Sequence, residues 1–239
     1  MTSQTQRVIL VTGGTGNLGR AVASAFAAEG AQVALIDLAA DRLSQVTSDL
    51  PGGEAQHAGF VGDLSTPEGV ASVFEAVLAR FGRIDSLIHT VGGYAAGKPV
   101  HEAGVAVLDE MFALNVRPVY LVGGAAASHM LERGGGGQIV FILAKAGLKG
   151  GKNAAAYTAT KGAATRIMEA MAAELRGAGI AVNGISPSTI DTPMNRKSMP
   201  DADPTQWVTP AQLAQACLMF CTDDPGLYGV NLEVFGRGG

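Results

Sequence analysis

Seven short apolar runs punctuate the chain, and segments of helical character separate most of them. The runs are RVILVT from Arg7, QVALID from Gln32, the stretch His57 to Val61, DSLIHT from Asp85, QIVFIL from Gln138, IAVNGIS from Ile180 and VNLEVF from Val230. Most are continuous rather than alternating, the pattern of strands buried on both faces. Helical segments include Leu18 to Glu29, Pro67 to Phe81, Val105 to Leu131, Ala154 to Arg176 and Pro210 to Phe220. This alternation predicts an α/β fold with a doubly wound parallel sheet and helices on both faces. No repeat, linker or second domain interrupts 1–239, so one domain is expected. Ser188 to Val208 breaks the rhythm, with three of the ten prolines and the only Trp, and reads as a lid beyond a strand end.

Composition narrows the partners. Hydrophobic residues make up 47% and charged residues 16%, which suits a large core and excludes disorder. A net charge of −4 without a long basic run argues against nucleic acid. Cys217 and Cys221, the only cysteines, read as small core residues on one helical face, so no metal site is expected. No run reaches the ~18 apolar residues of a membrane span, and the first apolar run is too short for a secretory leader. The expectation is a cytoplasmic protein acting on a small molecule.

Thr12-Gly13-Gly14-Thr15-Gly16-Asn17-Leu18-Gly19 follows the first strand and opens the first helix. Glycines there let the backbone pass close to a pyrophosphate, and the helix start offers free N–H groups to its charge. Gly13, Thr15, Gly16, Asn17 and Leu18 are therefore candidate dinucleotide contacts in a Rossmann-type fold. Asp37 ends the second strand, where a carboxylate accepts from both adenosine ribose hydroxyls and repels a 2′-phosphate. No basic residue follows before Arg42, so the expected cofactor is NAD(H). Asp63 and Leu64 after the third strand suit the adenine edge.

Tyr157 and Lys161 stand four apart in AAAYTATKGAA and so share a helix face. A cation beside a phenol favours the phenolate, which predicts a lowered pKa and a usable proton donor and acceptor. With the glycine loop, Asp37, Asp63, HTVGG at His89 to Gly93, Asn115, YTATK and SPSTIDTP at Ser186 to Pro193, the chain resembles the short-chain dehydrogenase/reductase family throughout its length. The resemblance implies a seven-stranded sheet, Tyr157 as general acid/base, Lys161 on the nicotinamide ribose and Asn115 holding a water in the proton relay. It implies that Val91, Gly92, Pro187, Thr189 and Ile190 lie along the nicotinamide half of the cofactor. It also implies a homodimer or homotetramer.

The chain departs from the family pattern in three places. The loop has TGxxGxxG spacing, HTVGG replaces the usual Asn-Asn-Ala-Gly, and the family's catalytic serine corresponds to Ala144. Within the family, the quinonoid dihydropteridine reductases resemble it most. They share a segment like DTPMNRKSMPDAD (Asp191 to Asp203), a following Trp matched by Trp207, Ala144-Lys145-Ala146 and Gly92-Gly93-Tyr94. That branch implies a small, planar, electron-poor substrate flanked by Tyr94, Ala144 and Trp207. The rival readings are a general carbonyl or alcohol enzyme and a non-catalytic NAD-binding protein. His89 takes a structural reading, with an approach to the cofactor from its strand-end position as the alternative. His57, His101 and His129 are expected on surfaces or helices, and Arg196 and Lys197 on a solvated lid face.

Overall fold

The computed structural model describes residues 7–222 and 226–237; residues 1–6, where part of the leader expectation falls, lie outside the described residues. In chain order the elements are β1 (Val8–Thr12), α1 (Asn17–Ala28), β2 (Gln32–Asp37), α2 (Ala40–Asp49), α3 (Gly53–Gln56), β3 (Ala58–Val61) and α4 (Pro67–Phe81). Next come β4 (Ser86–His89), α5 (Val100–Ala103), α6 (Val105–Asn115), α7 (Arg117–Glu132), β5 (Gly137–Ile142) and α8 (Ala155–Leu175). The chain ends with β6 (Ile180–Pro187), α9 (Pro193–Ser198), α10 (Pro210–Phe220) and β7 (Asn231–Val234).

The strands form one seven-stranded sheet in the order β3-β2-β1-β4-β5-β6-β7. Every pairing is parallel. Each central strand is therefore apolar on both sides, and two cores result. One packs Leu10, Leu87, Ile139 and Phe141 against α4, α7 and α8. The other packs Ile9, Val11, Ile88 and Ile185 against α1, α2 and α10. Among the described residues no helix is long and apolar enough to cross a membrane.

The single helix expected over Val105 to Leu131 is two helices, broken at Val116. Pro118 lies in the first turn of α7; it lacks an N–H and would clash with the carbonyl four residues back in a continuous helix. His57 corrects a second expectation, because it is buried rather than on the surface. Its Nδ1 accepts from Val33 N at 3.1 Å and its Nε2 donates to Pro51 O at 2.7 Å, joining β2 to the turn before β3.

Asp85 holds the amino-terminal edge of the sheet. It accepts from Val8 N at 2.9 Å and from Arg133 Nη1 at 2.6 Å, and it also pairs with Arg83. Burial alone would raise its pKa, but these donors hold it below the usual carboxylate value. A depressed folded pKa means stability that is present above pH ~4 and lost as pH falls through the folded value. Asp85→Asn is expected to cost about 2–3 kcal/mol at pH 7. Urea unfolding from pH 7 to pH 3 should show the gap to the wild type narrowing with acid; a constant gap would remove the carboxylate from this role.

Candidate functional site

The candidate site lies at the carboxyl ends of the strands. Thr12 ends β1, and Gly13 then takes a left-handed φ of 67°, turning the chain under α1. A Cβ at Gly19 would sit 2.1 Å from Gly13 O, so the first turn of α1 is pressed onto the loop backbone. Gly16 is the N-cap and offers no side-chain cap, leaving the opening N–H groups of α1 without a side-chain acceptor. Asn17 is exposed beside them, and Leu18 is buried in the core.

Asp37 at the end of β2 does not cap the next helix, whose N-cap is Ala39. Its Oδ2 accepts from Thr15 N at 3.0 Å and Thr15 Oγ1 at 2.7 Å, and its Oδ1 from Leu38 N at 2.8 Å. Burial opposes ionisation, yet these bonds keep the carboxyl below the ordinary range. Asp37 and the glycine loop are thereby tied together. Asp63 is exposed and accepts from Ser65 N and Ser65 Oγ at 2.9 and 2.7 Å, shaping the turn before α4, while Leu64 anchors that turn in the core.

Tyr157 and Lys161 lie one turn apart on α8. Lys161 is buried, its Nζ donating to Ile142 O at 3.3 Å. Gly92 has its backbone against both Lys161 and Asn115: a Cβ there would lie 3.1 Å from Lys161 Nζ and 2.9 Å from Asn115 Oδ1. Asn115 ends α6 and braces the turn after β4, accepting from Gly93 N at 2.9 Å and donating to Gly93 O at 3.1 Å. It also donates to Thr160 Oγ1 at 3.3 Å, linking that turn to α8.

The expected lowering of the Tyr157 pKa is not what the structure gives. Burial and the neighbouring Tyr94 push it up to about 12. The ammonium of Lys161 is turned to Ile142 O instead, and burial takes its own pKa down to about 8. The Tyr94 ring stands edge-on to Tyr157, with centroids 4.8 Å apart, and is itself 70% exposed. Ala144 is buried just beyond β5. Trp207 is half-buried, at the carboxyl end of the segment Ser188 to Val208.

Pro187 closes β6, and Thr189 and Ile190 follow it on a strap tied to Val208. Val208 N donates to Thr189 O at 2.9 Å, and Asp191 N donates to Val208 O at 2.7 Å. Both ends of the expected lid are therefore pinned. Arg196 is not simply solvated, since it pairs with Asp191 at 2.6 Å.

His89 had only a loose expectation. Its Nδ1 lies 2.9 Å from Thr12 Oγ1, which also accepts from Thr90 N at 3.2 Å. This set stands where the usual paired asparagines would brace the strands, and Val91 follows it beside Gly13. His89 Nε2 is the one buried side-chain nitrogen or oxygen without a hydrogen-bond partner among the described residues. Burial and the Lys161 charge push its pKa down to about 3, so it is neutral. Thr160 has no signal in the sequence, because only the packing of α8 brings it to Asn115, and the bond between His89 and Thr12 depends on strand register.

The model of the short chain dehydrogenase family matches residues 7–203, and the chain belongs to that family of oxidoreductases. It is 32% identical to the D-threitol dehydrogenase of Mycolicibacterium smegmatis, over 96% of this chain and 92% of the relative. Among solved structures, levodione reductase superposes with a TM-score of 0.90 at 27% identity, covering 98% of both chains. NAD+-bound xylitol dehydrogenase superposes with a TM-score of 0.89 at 26% identity, covering 98% of this chain and 99% of the other.

Burying Lys161 carries a stability cost that can be measured. A fall from 10.5 to about 8 corresponds to about 3 kcal/mol at neutral pH. The unfolded chain binds the extra proton between those two values, so wild-type stability should rise with pH across that window. Lys161→Met is expected to stabilise the ligand-free protein at pH 7 by up to about 3 kcal/mol, with the gain fading towards pH 10.5. Thermal unfolding of both proteins from pH 7 to 10.5 checks this, and a Met variant that is less stable at pH 7 would refute it.

Proposed function

We propose that the protein is an NAD(H)-dependent oxidoreductase that reduces a planar, electron-poor ring of the quinonoid dihydropterin kind, with Tyr157 as proton donor. The observation that carries this reading is buried Ala144, an apolar residue where the family resemblance would put a polarising serine, in a chain that keeps Tyr157, Lys161 and Asn115. The segment Asp191 to Asp203 supports the same branch of the family.

The residues present fit a nicotinamide dinucleotide. The tight approach of Gly19 to Gly13 leaves backbone, not side chain, facing the start of α1, and Asp37 stands ready at the end of β2. Gly13, Thr15, Gly16, Asn17 and Leu18 would hold the pyrophosphate, Asp37 the ribose, and Asp63 and Leu64 the adenine. Val91, Gly92, Pro187, Thr189 and Ile190 would line the nicotinamide side, with Lys161 on its ribose. When bound, the cofactor supplies a hydride.

The protein's own part is orientation and one proton. Tyr157, with its pKa pushed up to about 12, is protonated throughout the neutral range, as a donor must be. Lys161, on the same helix face, would stabilise the phenolate that donation leaves once its ammonium swings from Ile142 O towards Tyr157. Asn115 holds the turn carrying Tyr94 and would support the water that returns the proton. Tyr94, and Trp207 from the strap, would cover the ring. An activated ring needs less polarisation than a ketone, so the loss of the serine costs it less. Exposed Val105, Phe112 and Tyr120 on α6 and α7 support a homodimer or homotetramer.

A second reading, oxidation of alcohols or reduction of simple carbonyls, is favoured by relatives named for threitol, xylitol and levodione. Two experiments address these readings. NADH is expected to bind at least tenfold more tightly than NADPH, about 1.4 kcal/mol, with Asp37→Ser narrowing the gap; fluorescence titrations giving equal wild-type affinities would remove Asp37 from the ribose.

The second assay follows NADH absorbance with the quinonoid dihydropterin generated in place and the spontaneous background subtracted. Turnover of the dihydropterin, abolished in Tyr157→Phe, is expected, with little on a ketone panel. Ala144→Ser should raise ketone reduction about tenfold, part of the roughly 10²–10³ that one such donor supplies in a site built around it. Robust ketone turnover by the wild type with no dihydropterin rate would transfer the conclusion to the second reading.

A further inference from the structure

Next to the two tyrosines is a pocket of about 190 Å³, bounded by the loop after β4, α5, α6 and the start of α8. Its walls are five alanines and Val107, and its only polar side chains are Lys98 and Asn153. One wall begins at Ala95, directly after Tyr94, and another at Ala155 and Ala156, directly before Tyr157. The tyrosines do not line the pocket themselves, but its walls continue the backbone that carries them.

The two loops forming the mouth are tied by Gly97 N donating to Asn153 O at 2.8 Å. Asn153 is the only non-glycine among the described residues with a positive φ, at 59°. Asparagine takes this left-handed conformation readily, so the turn sets the Asn153 side chain at the pocket wall without strain.

The loop ahead of Tyr157 is basic, while the α6 wall carries Asp109 and Glu110 just beyond Val107. No Asp or Glu occurs between Glu132 and Glu169, yet Lys145, Lys149 and Lys152 fall there just ahead of Tyr157, in a chain of net charge −4. Lys98 and Lys152 are each one residue from an end of the Gly97–Asn153 bond. Among the described residues Lys98, Lys149 and Lys152 make no ion pair, and Lys145 lies over the Phe235 ring at 4.6 Å. The nearby carboxylate of Glu102 faces His101 at 3.3 Å.

We infer that this pocket is a subsite for an anionic arm, a carboxylate or phosphate on a short linker, carried by the ring that Tyr157 protonates. Lys98 and Asn153 contact the anion, and Lys149 and Lys152 supply a field that draws it in. The alanine walls take the linker. The inference rests on the proposed reading in one respect, that the substrate ring lies at Tyr94 and Tyr157.

Two readouts test it, one of them independent of turnover. In the first, lysines are reductively ¹³C-methylated and observed by NMR in the presence of NADH while benzoate or phenyl phosphate is added, with the Lys98 signal assigned by its loss in Lys98→Gln. A saturable shift of Lys98, weakened by raising the salt about tenfold, is expected, and the tighter probe distinguishes carboxylate from phosphate. In the second, two quinonoid dihydropterins that differ only in an acidic side chain are compared. Lys98→Gln should lower the ratio of kcat/KM, acidic over neutral, about fivefold, while Arg80→Gln, on α4 at the far edge of the sheet, leaves the ratio unchanged. No saturable shift at Lys98, or an unaltered ratio in Lys98→Gln, overturns the subsite. A saturable shift without turnover of either dihydropterin overturns the proposed reaction and leaves the subsite standing.

Discussion

Between β1 and β4 the sheet reverses its direction of growth, and the loops leaving these two strands must part to opposite faces. The crevice this creates is the only place at the carboxyl edge where two neighbouring loops diverge, which is why ligands of such sheets settle there. Everything in the candidate site depends on how that parting is braced. Thr90 donates twice to Thr12, from Oγ1 to Thr12 O at 2.7 Å and from N to Thr12 Oγ1 at 3.2 Å, and His89 joins from the same register. Gly13 can turn away only because it lacks a side chain, since a Cβ would meet Thr90 Oγ1 at 2.8 Å.

The second brace is Asn115. Because α6 stops at Asn115 and α7 restarts past Val116, the asparagine side chain emerges at a helix end instead of packing along a continuous helix. From there it reaches both the Gly93 backbone and Thr160, so one amide couples the turn after β4 to the helix carrying Tyr157 and Lys161. A shift of α8 would therefore be felt at Tyr94, whose ring already stands against Tyr157.

These arrangements cost stability locally. A buried ammonium and a neutral buried imidazole with an unpartnered nitrogen both lie near the crevice. The offset comes from elsewhere: two apolar cores on either side of a fully parallel sheet, and the Asp85 cluster at the opposite edge. Cost at the carboxyl edge and support at the amino edge are the division expected when a site is preorganised by a rigid scaffold.

The seven strands, most of the long helices and the glycine loop were legible in the sequence, because continuous apolar runs and the residues that break them are local signals. So was the face shared by Tyr157 and Lys161, which needs only helical periodicity. The break at Val116 was also written locally, in Pro118, although the apolar run on both sides disguised it. What the sequence could not decide was the electrostatic state of the site. Whether Lys161 lowers the Tyr157 pKa depends on where its ammonium points, and the backbone of Ile142, nineteen residues away, decides that. The bond between His89 and Thr12, the bond from Thr15 to Asp37 and the bond from Gly97 to Asn153 have the same origin. Each joins residues distant in the chain, and only the register of a parallel sheet and the packing of helices upon it bring them within a bond length of one another.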